Sequence, residues 1–407
     1  MKTKLLAVAL FGATIGAVAL YPSFATIGTG AATPRQDPAA FVPPTTETAN
    51  GERPRVEVVF ALDTTGSMSG LIEAAKEKIW SIATTMAAAQ PAPEIHIGLV
   101  AVRDRGDAYV TKRVDLSADL DSVYAQLMDF RAGGGGDGPE SVNEALHDAV
   151  HRMSWSQDGQ AYKAVFLVGD APPHMDYQDD IPYPETVAAA TRRGIVVNAV
   201  QCGSLRETGT EWRRIADLGT GRYFQVGQGG SAVAIATPFD AELAALSAKL
   251  DGTRLYYGTR EQKAKQQAKM AATGKLEAAA SVESKARRAT FNATPAGATN
   301  LLGEGDLVED VAAGRVDLST VEPEKLPEAL KAMSPAARQA EVDETGARRD
   351  EIRKQIRELS EQRSAFVAKK VEEAGGAKDS LDDKIYGAVR EQAAKAGLRY
   401  DAPAPSY

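Results

Sequence analysis

Between residues 55 and 255, short apolar runs alternate with stretches whose apolar residues recur every three or four positions. The runs at 56–62, 94–102, 163–170 and 195–203 are near-continuous, as strands buried on both faces require, and 108–114 and 222–226 add two shorter ones. Between them, Leu71, Ile72, Ala75, Ile79, Ile82 and Met86 fall on one helical stripe, and Val142, Ala145, Leu146, Ala149, Val150 and Met153 on another. Residues 184–194, 211–218 and 239–250 read as further helices, the first stopping at Gly194. This alternation predicts an α/β fold, a doubly wound and mostly parallel six-stranded sheet flanked by helices, with 108–114 as a hairpin partner or edge strand. Open sheets of this kind hold ligands at the carboxyl ends of their strands, so function is sought there.

The flanking segments differ in character. Residues 1–25 begin with Lys2 and Lys4, continue through an apolar core and end in small residues, the pattern of a cleavable export signal. An uncleaved anchor is the alternative, and membrane contact is expected only in that case. Residues 26–54, rich in Thr, Pro, Ala and Gly, read as a disordered linker, and 55–255 as the α/β domain. From 256 to 407 Ala, Lys, Glu, Gln and Arg dominate, which predicts an α-helical C-terminal region. There Ile352, Ile356, Leu359 and Phe366 form a stripe in which Arg363 stands where a fifth apolar residue would fall. The stripe suits a helical hairpin packed on itself or on the first domain, and a coiled coil is the sharper reading, for which it is short. A net charge of −8 leaves no basic surplus for phosphates, so nucleic acid is not an expected partner. One cysteine, Cys202, allows neither an internal disulfide nor a Cys-rich zinc site. A periplasmic or secreted protein of a bacterial envelope is expected.

The strand ends carry the chemistry. In "VEVVFALDTTGSMSG" the first run stops at Asp63, and Thr65 and Ser67 follow on alternate positions before a helix begins. Asp170 ends the fourth strand in "FLVGDAPPH", and Asp137 stands in the glycine-rich "AGGGGDGPE". In a doubly wound sheet these three loops can converge on one edge. Carboxylates and hydroxyls are the oxygen donors that a hard divalent cation takes in octahedral geometry. The acids hold the charge, the hydroxyls bind without adding more, and the glycines at 133–136 let the backbone pass close. Singly, each residue has a plainer role: Ser67 or Ser69 as a helix cap, Asp137 with Glu140 as a capping box, Asp170 as a turn opener. Three loops in the right order on the right strands outweigh those roles. "RGD" at 105–107 reads as an ordinary charged turn. His174, Asp176, Asp179 and Asp180 match no ligand spacing and read as a solvated loop, while His96 and Cys202 read as core residues of apolar strands.

"DTTGS" resembles the D-x-S-x-S signature of von Willebrand factor type A domains, with Thr65 in place of the first serine. "GGGGDGPES" and "VGDAPPH" resemble the second and third loops of that family's metal-ion-dependent adhesion site, and "DYQDDIPYPETVAAATRRGIVVNAVQCG" resembles a bacterial subgroup. The resemblance spans 55–255. It implies that Asp63, Thr65, Ser67 and Asp170 hold Mg²⁺, or Mn²⁺ or Ca²⁺, with the two aspartates acting through water. Asp137 is the nearest match in the second loop, where the family often has threonine. Bound directly, Asp137 would strengthen metal binding and weaken attraction for a partner's carboxylate. The resemblance thus implies an exported, metal-dependent protein-binding module of adhesion or scaffold type. It would ligate an exposed Asp or Glu of a partner protein and would not be an enzyme. Two other readings stand beside it: a metal-dependent hydrolase, for which no general base is evident, and a structural protein acting through its helical C-terminal half. The helix at 239–250 runs almost directly into that half, so ligation is expected to alter how the tail is presented.

Overall fold

β1 (Arg55–Asp63) is central because nearly every side chain along it is apolar and buried, which suits a strand covered on both faces. α1 (Ser69–Ala87) returns the chain to β2 (Glu94–Val102), and β3 (Thr111–Ser117) pairs antiparallel with β2 at the edge. α2 (Leu120–Leu127) and α3 (Val142–His151) lead to β4 (Tyr162–Gly169). α4 (Tyr183–Arg192), β5 (Ile195–Cys202), α5 (Arg206–Leu218) and β6 (Thr220–Val226) complete the alternation. The structure, a computed structural model, describes residues 53–230, 235–377, 380–402 and Pro405. The expected export signal and all but the end of the linker lie outside the described residues.

The six-stranded sheet runs β3-β2-β1-β4-β5-β6, parallel except for the β2–β3 pair. One face is covered by α3, α4 and α5, where Val142, Leu146, Val187, Trp212 and Ile215 bury against Val59, Val165 and Val197. α2 was not expected from the sequence. It is capped by Asp119, whose carboxylate accepts from Ser122 N, and it helps cover the other face with Val123, Tyr124 and Leu127.

The helical remainder consists of α6 (Asp240–Asp251), α7 (Arg260–Ala279), α8 (Val282–Asn292), α9 (Gly297–Leu302), α10 (Leu307–Ala312), α11 (Glu328–Lys331), α12 (Pro335–Glu373) and α13 (Leu381–Ala393). Among the described residues no helix is long and apolar enough to cross a membrane. α6, expected to close the sheet domain, instead packs on α8 and α12, with Leu243, Leu246 and Leu250 against Ala286, Ala289, Ile352 and Ile356. Arg363 fits into that stripe because it forms a buried ion pair with Asp240 of α6, Nε to Oδ1 at 2.8 Å. The stripe of α12 is therefore covered within the chain.

The vacant position on the sheet is filled by α13. Leu381, Ile385, Tyr386 and Val389 join Phe60, Phe166, Ile79 and Ile82 in one core. Leu381 N donates to Gly230 O at 3.2 Å, so the end of β6's loop and the start of α13 meet directly. Residues 235–377 are thus a helical insertion between the last strand and the helix that caps the sheet. The insertion leans on the same face, α8 against α1 and α7 against α2.

Candidate metal centre

β1 continues to β2 on one side of the sheet, and its neighbour β4 continues to β5 on the other. This divergence is a topological switch point, where loops part and leave a crevice at the carboxyl strand ends. Asp63 and Asp170 stand at that crevice. Asp63 is buried, 4% exposed. Its Oδ1 accepts from Thr65 N at 2.9 Å and from Thr65 Oγ1 at 2.7 Å, which folds the loop back on its own acid. Ser67 Oγ follows 3.4 Å from Thr65 Oγ1, so the expected acid and both hydroxyls line one turn.

The second loop is held by backbone bonds. Gly133 N donates to Thr64 O at 3.1 Å and Gly66 N to Gly134 O at 3.3 Å, locking the glycine run against the first loop. Gly134 has φ 78°, a left-handed conformation, and Gly135 N donates to Asp107 Oδ2 at 3.0 Å. Farther on, Glu140 N donates to Pro172 O and His174 N to Glu140 O, each at 2.9 Å, which zips the second loop to the third. Because Glu140 N is bonded to the third loop, Asp137 and Glu140 do not form the capping box that was their plainer reading.

Glu140 is the residue that sequence reasoning missed. It is 4% exposed, and its Oε2 is buried with no hydrogen-bond partner. A Cβ on Gly135 would stand 3.6 Å from Glu140 Oε1 and 3.5 Å from Thr65 Cβ, so Glu140 and the first loop flank the same glycine. Burial, then the charges of Asp63, Asp104, Asp107 and Asp170, push the Glu140 carboxyl up to about 9. Burial also dominates at Asp63, and with Asp170 beside it outweighs the Thr65 hydrogen bonds, pushing that carboxyl up to about 7. Carboxylates crowded this closely resist ionising together unless a cation joins them. A hard divalent ion fits this donor set of carboxylate and hydroxyl oxygens, and the unpartnered Glu140 Oε2 is the atom that such an ion would satisfy.

The other expected ligands fall as follows. Asp170 sits beside Asp63, and its Oδ2 accepts from Gln228 Nε2 at 2.6 Å, a neutral amide supplied by the loop after β6. Asp137 is placed with Asp104 and His174, one ligand atom of each lying within 4.8 Å of the others. Asp104, Asp107 and Gln228 were also missed, since loop residues carry no periodicity and their approach depends on tertiary folding. Cys202 is buried as expected. His96 is half-buried and pairs with Glu94 at 3.0 Å at the sheet's amino-terminal end, rather than lying in the core.

Residues 57–237 match the family model described as von Willebrand factor A domain. No curated protein matches the chain. Among solved structures it is similar to proximal thread matrix protein 1 from the mussel byssus, at 13% identity and a TM-score of 0.33, over 43% of this chain and 42% of that one. It is likewise similar to the SpRpn10 VWA domain, at 12% identity and a TM-score of 0.33, over 43% of this chain and 89% of that one. The chain thus spans less than half the length of the mussel protein it matches. The match to the family model runs from within β1 to just beyond β6, residues 57–237, and takes in Asp63, Glu140 and Asp170.

Proposed function

We propose that this domain binds a divalent cation, Mg²⁺ or else Mn²⁺ or Ca²⁺, and through it an exposed Asp or Glu of a partner protein. Asp63, Thr65, Ser67 and Asp170 hold the ion in this reading, and Glu140 takes the second-loop place for which the sequence offered Asp137. One observation carries it: Glu140 is a buried carboxyl whose pKa burial and then the charge of Asp63 push up, and its Oε2 has no hydrogen-bond partner. A domain of this family commonly mediates protein–protein interaction, and an ion with an open position is the simplest way for so acidic a crevice to attract a carboxylate rather than repel it. The extra charge of Glu140 implies an ion retained before any partner arrives.

The protein is, in the same reading, a binding module and not an enzyme. It works outside the cytoplasm, in the periplasm or beyond, which rests on the export-signal pattern of residues 1–25. The test has two stages. Calorimetry of the chelator-stripped protein should show Mg²⁺ binding that Asp63→Ala abolishes. Capture from an envelope fraction should then need Mg²⁺ and fail with Asp63→Ala. Equal capture with metal and with chelator would overturn the metal-mediated reading, and turnover of small esters or phosphates lost in Asp63→Ala would replace it with hydrolysis.

A further inference from the structure

We propose that Asp104, Asp137 and His174 form a second cation site, beside the oxygen-lined centre at Asp63 and made of different residues, that takes Zn²⁺ or a similar imidazole-seeking divalent ion. The three residues come from the loop after β2, the glycine-rich loop and the loop after β4. One ligand atom of each lies within 4.8 Å of the other two.

His174 makes this more than a cluster of acids. It is 5% exposed, and its Nδ1 stands 2.8 Å from Asp176 Oδ1. An ionised carboxylate only accepts, so Nδ1 carries the hydrogen and Nε2 is the nitrogen left to bind an ion. Burial lowers the ring's pKa, but Asp176, Asp104 and Asp137 outweigh it and raise it, so a cation binding at Nε2 takes the place of a proton there. That Nε2 is buried and has no hydrogen-bond partner. Facing it are Asp104 Oδ2 at 3.4 Å and Asp137 Oδ1 at 3.7 Å. Ligand atoms bound at about 2.1 Å to a tetrahedral ion stand about 3.4 Å apart. The His174–Asp104 pair already has that spacing, and Asp137 on its exposed loop would close in by a few tenths of an ångström.

The surroundings orient the ligands as the outer partners of metal sites do. Ser141 Oγ donates to Asp104 Oδ1 at 2.8 Å and Tyr177 Oη to Asp104 Oδ2 at 2.9 Å. The Tyr177 ring stacks on His174 with centroids 4.1 Å apart. Asp137 is 64% exposed, so the site opens to solvent, where a fourth position is left for water or a ligand. An imidazole beside two carboxylates favours Zn²⁺ over Mg²⁺, whose preference is for oxygen alone.

The experiment uses the full chain, stripped with chelator, saturated with Mg²⁺ and titrated with Zn²⁺ by calorimetry, with X-ray absorption at the zinc edge. The expected result is one Zn²⁺ per chain with a histidine nitrogen in its shell. Affinity should fall at least about a hundredfold in His174→Ala and about tenfold in Asp137→Ala, and stay unchanged in Asp63→Ala. No zinc uptake, uptake unaltered by His174→Ala, or uptake lost in Asp63→Ala would overturn the proposal. So would loss in His147→Ala, which would move the site to Glu144, His147 and Asp148 on α3. Should His174→Ala fail to fold, Asp137→Ala with its exposed side chain decides, and wild-type affinity in that variant refutes the site.

Discussion

Gln392 of α13 and Asn198 of β5 exchange side-chain amide hydrogen bonds, Nε2 to Oδ1 at 2.7 Å and Nδ2 to Oε1 at 3.1 Å, although 194 positions separate them. Tyr162 Oη also donates to Gln392 Oε1 at 2.8 Å. Removing Gln392 leaves Asn198 Nδ2 and Tyr162 Oη without these partners, while Asn198 Oδ1 keeps the bond from Arg222 N at 3.0 Å. Gln392→Ala should cost about 2–3 kcal/mol in urea unfolding, more than a typical exposed glutamine. Ending the chain after residue 377, which removes α13 and uncovers Phe60 and Phe166, should abolish cooperative unfolding of the sheet. A truncated chain that melts like the full one would show that α13 is not the sheet's cap.

Glu140 and Asp137 make opposite predictions about the Mg²⁺ centre. Glu140→Gln removes the charge facing Asp63 and should weaken Mg²⁺ binding at least about tenfold by calorimetry. Asp137→Asn should leave Mg²⁺ affinity within about twofold, because its neighbours are Asp104 and His174. The reverse outcome would return Asp137 to the place that the sequence suggested for it.

The contrast shows what the sequence makes legible. β1, β2, β4 and β5 are near-continuous apolar runs, a signal set by burial on both faces, and they were visible at once. Asp63, Thr65 and Ser67 were visible because a strand end fixes where its next residues go. Glu140 was hidden by an equally good local explanation, a capping box with Asp137, and only the bond of its N–H to Pro172 O removes it. α13 was hidden for a different reason. Its stripe of Leu381, Ile385 and Val389 reads the same whether it meets another helix or a sheet, and no local signal says that the chain returns after a long insertion. α2, with its Asp119 cap, carried a readable signal in a short segment that the strand–helix pattern passed over.

Gly134 ties the second loop to the site through its backbone shape. A Cβ there would stand 2.2 Å from both carboxylate oxygens of Asp107, at a φ of 78° that already disfavours a side chain. Gly134→Ala should therefore shift Asp107 and the glycine run, weakening Mg²⁺ binding about tenfold and lowering stability by about 1–3 kcal/mol. Gly136→Ala is the control, since a Cβ there meets nothing within 4 Å. Equal metal affinity in the two variants would show that the loop's path does not matter to the ion.

Asp121, at the start of α2, joins the sheet domain to the insertion. It receives Arg288 Nε at 2.6 Å and Nη2 at 2.5 Å, and both side chains are fully buried. Burial opposes its ionisation, but the cations of Arg288, Lys269 and Arg254 outweigh burial and hold its carboxyl far below the usual range. A carboxyl with a lowered folded-state pKa contributes stability that is fully present above its unfolded value near 4 and is lost as pH falls through the folded value. Unfolding stability should accordingly drop with acidification below about pH 4. Asp121→Asn should cost about 3–5 kcal/mol at pH 7, because Arg288 stays buried with only the Asp251 carboxylate and the Ser247 hydroxyl fully able to answer it, and should flatten the dependence below pH 4. Adding Arg288→Met should recover part of the loss by removing the stranded charge. Identical acid profiles for wild type and Asp121→Asn would place the acid-sensitive contact elsewhere in the molecule.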